Sequence, residues 1–152
     1  MKNFLLPYPW KYPGILLIFS GVVLAILYIW IDFRFTIPVF AVFSSFVETK
    51  IFVTFNTNFA DELIMLLFIC GFGLLVFSKE KNESEILDSI RYKALVLAFI
   101  SNNLLLLCSV LFVYGSGFIA ILVLNLITLP VFYLCFFYFL RQREMDRTHH
   151  TK

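Results

Sequence analysis

Charge is what this chain has least of. Only 14% of its 152 residues are Asp, Glu, Lys or Arg, where a soluble domain carries roughly a quarter. Net charge is +2, from 12 Lys and Arg against 10 Asp and Glu, so no strong field draws nucleic acid. Signature motifs are also missing. No GxGxxG, Walker A loop, GxSxG or HExxH can be read in the sequence, and those motifs cradle phosphate, present a nucleophilic serine or hold zinc. Cys70, Cys108 and Cys135 are odd in number, lie inside apolar runs and have no metal-ligand spacing to one another. They are expected to be buried as small hydrophobes. His149 and His150 are adjacent in a short polar tail, where incidental residues outweigh a metal site. These absences point away from an enzyme, and neither cofactor nor metal is expected.

Apolar residues are what the chain has in abundance. The AVILMFWYC class makes up 61%, phenylalanine occurs 20 times, and mean hydropathy is +0.92. A soluble domain of this size has too little interior to hide so much apolar surface. An all-α integral membrane protein is therefore expected, with the lipid bilayer as its first partner. Four stretches, 14–31, 59–77, 94–113 and 118–140, approach or exceed the roughly 20 helical residues that a bilayer core takes. We expect four transmembrane helices in two antiparallel hairpins, forming a single membrane domain over 1–152. Lys2 and Lys11 precede the first run as they would in a signal peptide. Leu27-Tyr28-Ile29-Trp30 then stands where a small-residue cleavage site would be, so an uncleaved span is expected.

Lys and Arg predict orientation. Lys2, Lys11, Lys79, Lys81, Arg91, Lys93, Arg141, Arg143, Arg147 and Lys152 fall on one side, against Arg34 and Lys50 on the other. Ten against two predicts both termini in the cytoplasm, in a multi-pass protein of the plasma (inner) membrane. Tyr8, Trp10, Tyr12, Tyr28, Trp30 and Tyr114 fall at the expected interfaces.

The outer segment 32–58 is too polar to span and too rich in phenylalanine to be a free loop. Ile37–Phe43 and Lys50–Phe55 are β-branched and aromatic. They predict a small extracytoplasmic β-hairpin, with Pro38 confining its strand to an edge. The alternative is a re-entrant or interfacial element with Phe side chains in the headgroup layer. Asn58 is placed to cap the second span, and Asp61 and Glu62 put negative charge in its first turn. A weaker reading makes Asp61 and Glu62 an outer cation vestibule.

The cytoplasmic connector 78–93 carries Asn82 and Glu85 at capping-box spacing. It predicts an amphipathic helix running straight into the third span, and 141–152 is expected to be a cytoplasmic tail. Ile86, Leu87 and Ile90 form the connector's apolar stripe, with Glu85, Asp88 and Arg91 beside it as a candidate partner-docking surface. Isolated helices this short are marginal in water, so the stripe is expected to pack on something. The protein's own inner surface, headgroups and a partner protein are the options.

No ionisable residue lies mid-span, so the usual marker of an ion path is missing. The neutral polar residues Asn102, Asn103, Asn125 and Thr128 are expected to form interhelical contacts. A turn near Gly115 and Ser116 sets Asn103 level with Thr128. Small residues mark expected contact faces: Gly21 and Ala25, Gly71 and Gly73, Ala94 and Ala98.

Val39–Ser44, Asn58–Glu62, Phe77–Glu83 and Ser101–Asn103 together resemble the recurring blocks of small bacterial four-span membrane proteins. The resemblance covers most of the chain and implies the four-span architecture. No activity is established for that group, and no site residue comes with it.

Two functions fit these residues. A non-enzymatic interaction or regulatory module would dock a cytoplasmic or membrane protein partner through the connector. Alternatively, a channel or transporter component would work as a homo-oligomer, because four short spans leave little room for a monomeric pore.

Overall fold

In the computed structural model of the chain, residues 5–44, 50–81 and 84–150 are described. A 3-10 turn at Tyr8–Trp10 leads into helix α1 (Lys11–Trp30). A two-stranded ribbon follows, β1 (Thr36–Ser44) and β2 (Lys50–Asn58), then helices α2 (Ala60–Phe77), α3 (Glu85–Phe112) and α4 (Ser116–His150). All four helices are long and apolar enough to cross a membrane. At about 1.5 Å per residue, α1 and α2 are about 30 and 27 Å long, close to a hydrocarbon core of about 30 Å. Helices α3, with 28 residues, and α4, with 35, overshoot it.

Two compact units divide the chain: Met1–Leu16 with Ile69–Lys152, and Leu17–Phe68. In the first unit, α3 lays one stripe against α4. Leu87, Ile90, Ala94 and Ala98 are buried with Tyr133 and Phe137, and the stripe continues through Asn102 and Ser109. Steps of three or four residues keep these positions on one face, and the two alanines, wholly buried, let the helices close up. The turn between them needs Gly115, whose φ of +71° favours a residue without Cβ. From Glu85 onward, connector and span form one continuous helix, as the sequence predicts. Its N-cap is Ser84, whose Oγ accepts the Leu87 amide at 3.4 Å. The expected cap, Asn82, lies outside the described residues.

Helix α4 runs on through His150, into the stretch 141–152 that the sequence assigns to the tail. Nothing from Arg141 to Met145 breaks a helix, and charged residues there have good helix propensity. The cysteines also differ from expectation: Cys70, Cys108 and Cys135 are all exposed on their helices. A small hydrophobe is at home on a surface turned outward to an apolar solvent as well as in a core.

Within the first unit, Gly14 brings α1 close to α2. A Cβ at Gly14 would lie 3.0 Å from Leu74 Cβ and 3.1 Å from the Gly71 carbonyl oxygen. Gly73, expected on a contact face, has nothing within 4 Å of where its Cβ would be. In the second unit, the Gly21 backbone meets Leu67 and Phe68.

The second unit also carries the ribbon, an antiparallel pair in register from Thr36 opposite Asn58 to Ser44 opposite Lys50. Its base is tied to the start of α2. Phe59 N–H donates to the Phe35 carbonyl at 3.1 Å, and Asn58 Oδ1 accepts from the Phe35 and Ala60 amides. Asn58 therefore joins the ribbon's base to the start of α2. Pro38 pairs opposite Asn56, tolerated because each strand of a two-stranded sheet is an edge.

Candidate functional site

Polar side chains gather at two places in the first unit. One lies among the segments flanking the apolar cores of the helices. The N-terminal segment runs beside the chain leaving α2: Leu6 N–H donates to the Phe77 carbonyl at 2.8 Å, and Lys79 N–H donates to the Leu6 carbonyl at 2.9 Å. This short parallel bridge sets Lys11 against Glu80. The Lys11 ammonium pairs with Glu80 Oε1, and Arg141 Nη1 of α4 lies 3.1 Å from Glu80 Oε2. Glu80 and Lys11 side chains are only 7% and 12% exposed, and that of Arg141 is 33% exposed. Removing a carboxylate from water this far costs several kcal/mol unless cations meet it. Here each oxygen has one.

Arg91 sits beside this pair, buried on α3. Its Nη2 donates to the Ser78 carbonyl at 3.3 Å, and its guanidinium lies 5.2 Å from the centre of the Phe137 ring. The Lys11 ammonium lies 5.9 Å from the Tyr138 ring centre, within cation–π range. Four segments are thus clasped by charge: the N-terminus, the connector, α3 and α4.

The clasp changes how the docking residues stand. Leu87 and Ile90 are buried against Tyr133 and Phe137, so α4 covers much of the stripe. Arg91 is buried as well, and Asp88 is half-buried. Only Glu85 and Ile86 among the six are exposed. Beside them an open groove of about 250 Å³ is lined by Ser84, Ile86, Leu87, Ile90, Arg141, Glu144 and Met145. Its walls are apolar on the α3 side and mixed on the α4 side.

The second polar place lies between α3 and α4. Asn102 Oδ1 accepts from Asn125 Nδ2 at 3.0 Å and from the Thr128 hydroxyl at 2.8 Å. Asn102 Nδ2 donates back to Asn125 Oδ1 at 3.4 Å. The partner of Thr128 is thus Asn102, one position before the residue that the turn geometry predicts. Asn103 is exposed, because a step of one residue turns a helix by about 100° and carries it off the buried stripe.

Asp61 and Glu62 stand exposed on the first turn of α2, where the helix dipole favours them. Among the described residues no three His, Cys, Asp or Glu side chains are grouped to hold a metal ion. The side chains of His149 and His150 lie outside the described residues.

Lys11, Ser78, Glu80 and Arg141 carry the clasp without having stood out in the sequence. Glu80 lies between Lys79 and Lys81, so it reads as one charge in a mixed loop. Only the proximity of Lys11, 69 positions away, makes it an anchor. No family model, curated protein or solved structure matches the chain, so the functional reading rests on this geometry.

Two predictions follow from the polar pairs. Glu80→Gln leaves Lys11 and Arg141 without their counter-charge and should cost about 3 kcal/mol in detergent unfolding, the lower end for a broken buried pair. A loss under about 0.5 kcal/mol, the level of a surface pair, would show that the clasp is not needed. A double-mutant cycle of Asn102→Leu with Thr128→Val should give a coupling of about 0.6–1.7 kcal/mol. The same cycle with Asn103→Leu in place of Asn102→Leu should give none, and equal couplings would refute the assignment.

Proposed function

We propose that this is a four-span protein of the plasma (inner) membrane, with both termini in the cytoplasm, acting as a non-enzymatic interaction module. Its partner is a cytoplasmic or membrane protein, received at the groove beside the connector. The observation that carries this reading is the groove itself. It joins exposed Ile86 and Met145 to the ion-paired Arg141. An apolar floor with a charged wall anchored from behind is a common form of protein-binding surface. The reading narrows the docking surface from the whole connector stripe to its outer edge, since α4 covers Leu87 and Ile90.

Membrane residence is supported by the way the helices turn their large side chains outward. Leu16, Phe19, Phe99, Ile100, Leu104, Leu107 and Phe139 are all exposed. Apolar bands of that extent mark contact with lipid or protein rather than water. A channel component is the second class of reading and has less to support it. Asn102, Asn125 and Thr128 bond to one another, which is what helix-to-helix glue requires.

Orientation is tested by impermeant maleimide on intact cells, in a background with Cys70, Cys108 and Cys135 replaced by alanine. Thr54→Cys on the ribbon should label and Ser84→Cys on the connector should not. The opposite pattern would reverse the protein in the membrane. Docking is tested by recovering a tagged copy from native membranes after cross-linking. Ile86→Ser combined with Met145→Ser should spare insertion and lower recovery of a discrete partner several-fold, and unchanged recovery would remove the groove as the docking surface.

A further inference from the structure

The ribbon has a polar base and an apolar far end. Thr36, Thr54 and Asn56 occupy the base and middle of its exposed face. Toward the tip that face carries Phe40, Val42 and Phe52, and Ile51 is exposed beside them. Phe40 and Phe52 are 60% and 68% exposed, with ring centres 6.1 Å apart. Phe52 holds a φ of +54°, a left-handed conformation that costs an aromatic residue on the order of 1–3 kcal/mol. Val42 and Phe52 are also the one position left out of the otherwise continuous register. The chain thus accepts local strain at the point where it presents a second phenylalanine beside the first.

We infer that this ribbon tip is an interfacial anchor, seated by Phe40, Val42, Ile51 and Phe52 in the headgroup layer of the bilayer that the helices cross. The inference rests on the membrane-spanning reading of the helices but not on the partner groove. Three observations select lipid as the occupant. Apolar side chains stand out on both faces at the tip, as Phe52 and Ile51 do, where a protein partner would be met by one face. The ribbon springs directly from the ends of α1 and α2, and its base is hydrogen-bonded to the start of α2, so it is tethered at the end of two spans. The aromatic residues continue along that route, with Phe33, Phe35 and Phe59 ring against ring at the base. Aromatic residues favour this depth of a bilayer.

The backbone sets the limit of insertion. Both strands are edges, and an edge strand carries along its outer side N–H and C=O groups that no further strand of the sheet pairs. Open edges do not occur in the hydrocarbon region, where nothing satisfies them. The headgroup layer supplies water to the edges and apolar depth of about 5–10 Å to the side chains. A two-stranded hairpin is marginal in water by itself, and this seat gives its exposed rings a place to be buried.

The test uses the full chain in phosphatidylcholine vesicles, with Trp10→Phe and Trp30→Phe as background. Single tryptophans are introduced as Phe52→Trp or Phe40→Trp at the tip, and as Phe19→Trp in the middle of α1. Lipids brominated near the top or near the end of the acyl chain then report depth. Both tip variants should show blue-shifted emission, quenched about twofold more by shallow than by deep bromines, as expected for a side chain at interfacial depth. Phe19→Trp should show the reverse preference. Quenching of Phe19→Trp with none at either tip position overturns the anchor and leaves the spans standing. Blue-shifted tip emission that no brominated lipid quenches means that a second copy covers the tip, and also overturns it. If Phe19→Trp is not quenched either, the spanning reading falls and the anchor with it.

Discussion

A carboxylate taken out of water must be met by cations or give up its charge, and the arrangement around Glu80 follows from that demand. Lys11 and Arg141 each hold one of its oxygens. Because those two residues come from opposite ends of the sequence, satisfying one side chain draws the N-terminal segment to the connector and the connector to α4. The parallel bridge of Leu6 to Ser78 and the hydrogen bond from Arg91 to the Ser78 carbonyl close the same junction through the backbone. Removing either cation would leave the others poorly matched, so the clasp behaves as one unit. A buried pair of this kind need not add net stability over an apolar replacement. What it supplies here is a single way for these segments to meet.

The contact between α3 and α4 is specified differently. Its buried alanines permit close approach but do not by themselves fix the register, since the apolar side chains packed around them make no directional bond. Asn102, Asn125 and Thr128 remove that freedom. Each hydrogen bond in a membrane contributes only about 0.6 kcal/mol on average. A slip of one helical turn, about 5.4 Å, would break all three together. The charged clasp at one end of this helix pair and the neutral triad further along it thus define its register at two separate depths.

Four helices and a hairpin were legible because their signals are local: long apolar runs in one case, short β-branched and aromatic runs in the other. The register between helices was not. Counting outward from the turn at Gly115 placed Asn103 opposite Thr128, an error of one residue. Depth can be counted from the turn, whereas facing depends on the helix phase, and the phase is visible only in the whole buried stripe from Leu87 to Ser109. Ala94, Ala98 and Asn102 lie at steps of four, and that spacing was the available signal. The clasp was less accessible still. Lys11 reads as a topological charge and Glu80 as one of several acids in a loop, and no local pattern joins positions 69 apart. The exposed cysteines illustrate a related limit, since hydropathy marks a helix as apolar without telling which of its sides meets protein.

The exposed apolar surfaces are not all alike, and their backbone settings explain why different partners are assigned to them. On the helices, interior N–H and C=O groups are bonded along the same segment, apart from the carbonyl four residues before Pro130, which has no N–H to offer it, so side chains such as Phe19 and Phe99 can face hydrocarbon with no polar group carried in beside them. On the ribbon, the same kind of side chain comes with an unpaired strand edge, which restricts it to a depth where water still reaches. At the groove, the apolar floor of Ile86 and Met145 adjoins Arg141 and Glu144, and burying that charged wall in hydrocarbon would be costly. Backbone satisfaction and neighbouring charge, more than hydrophobicity, are therefore what would separate a lipid-facing surface, an interfacial one and a protein-facing one under the proposed reading.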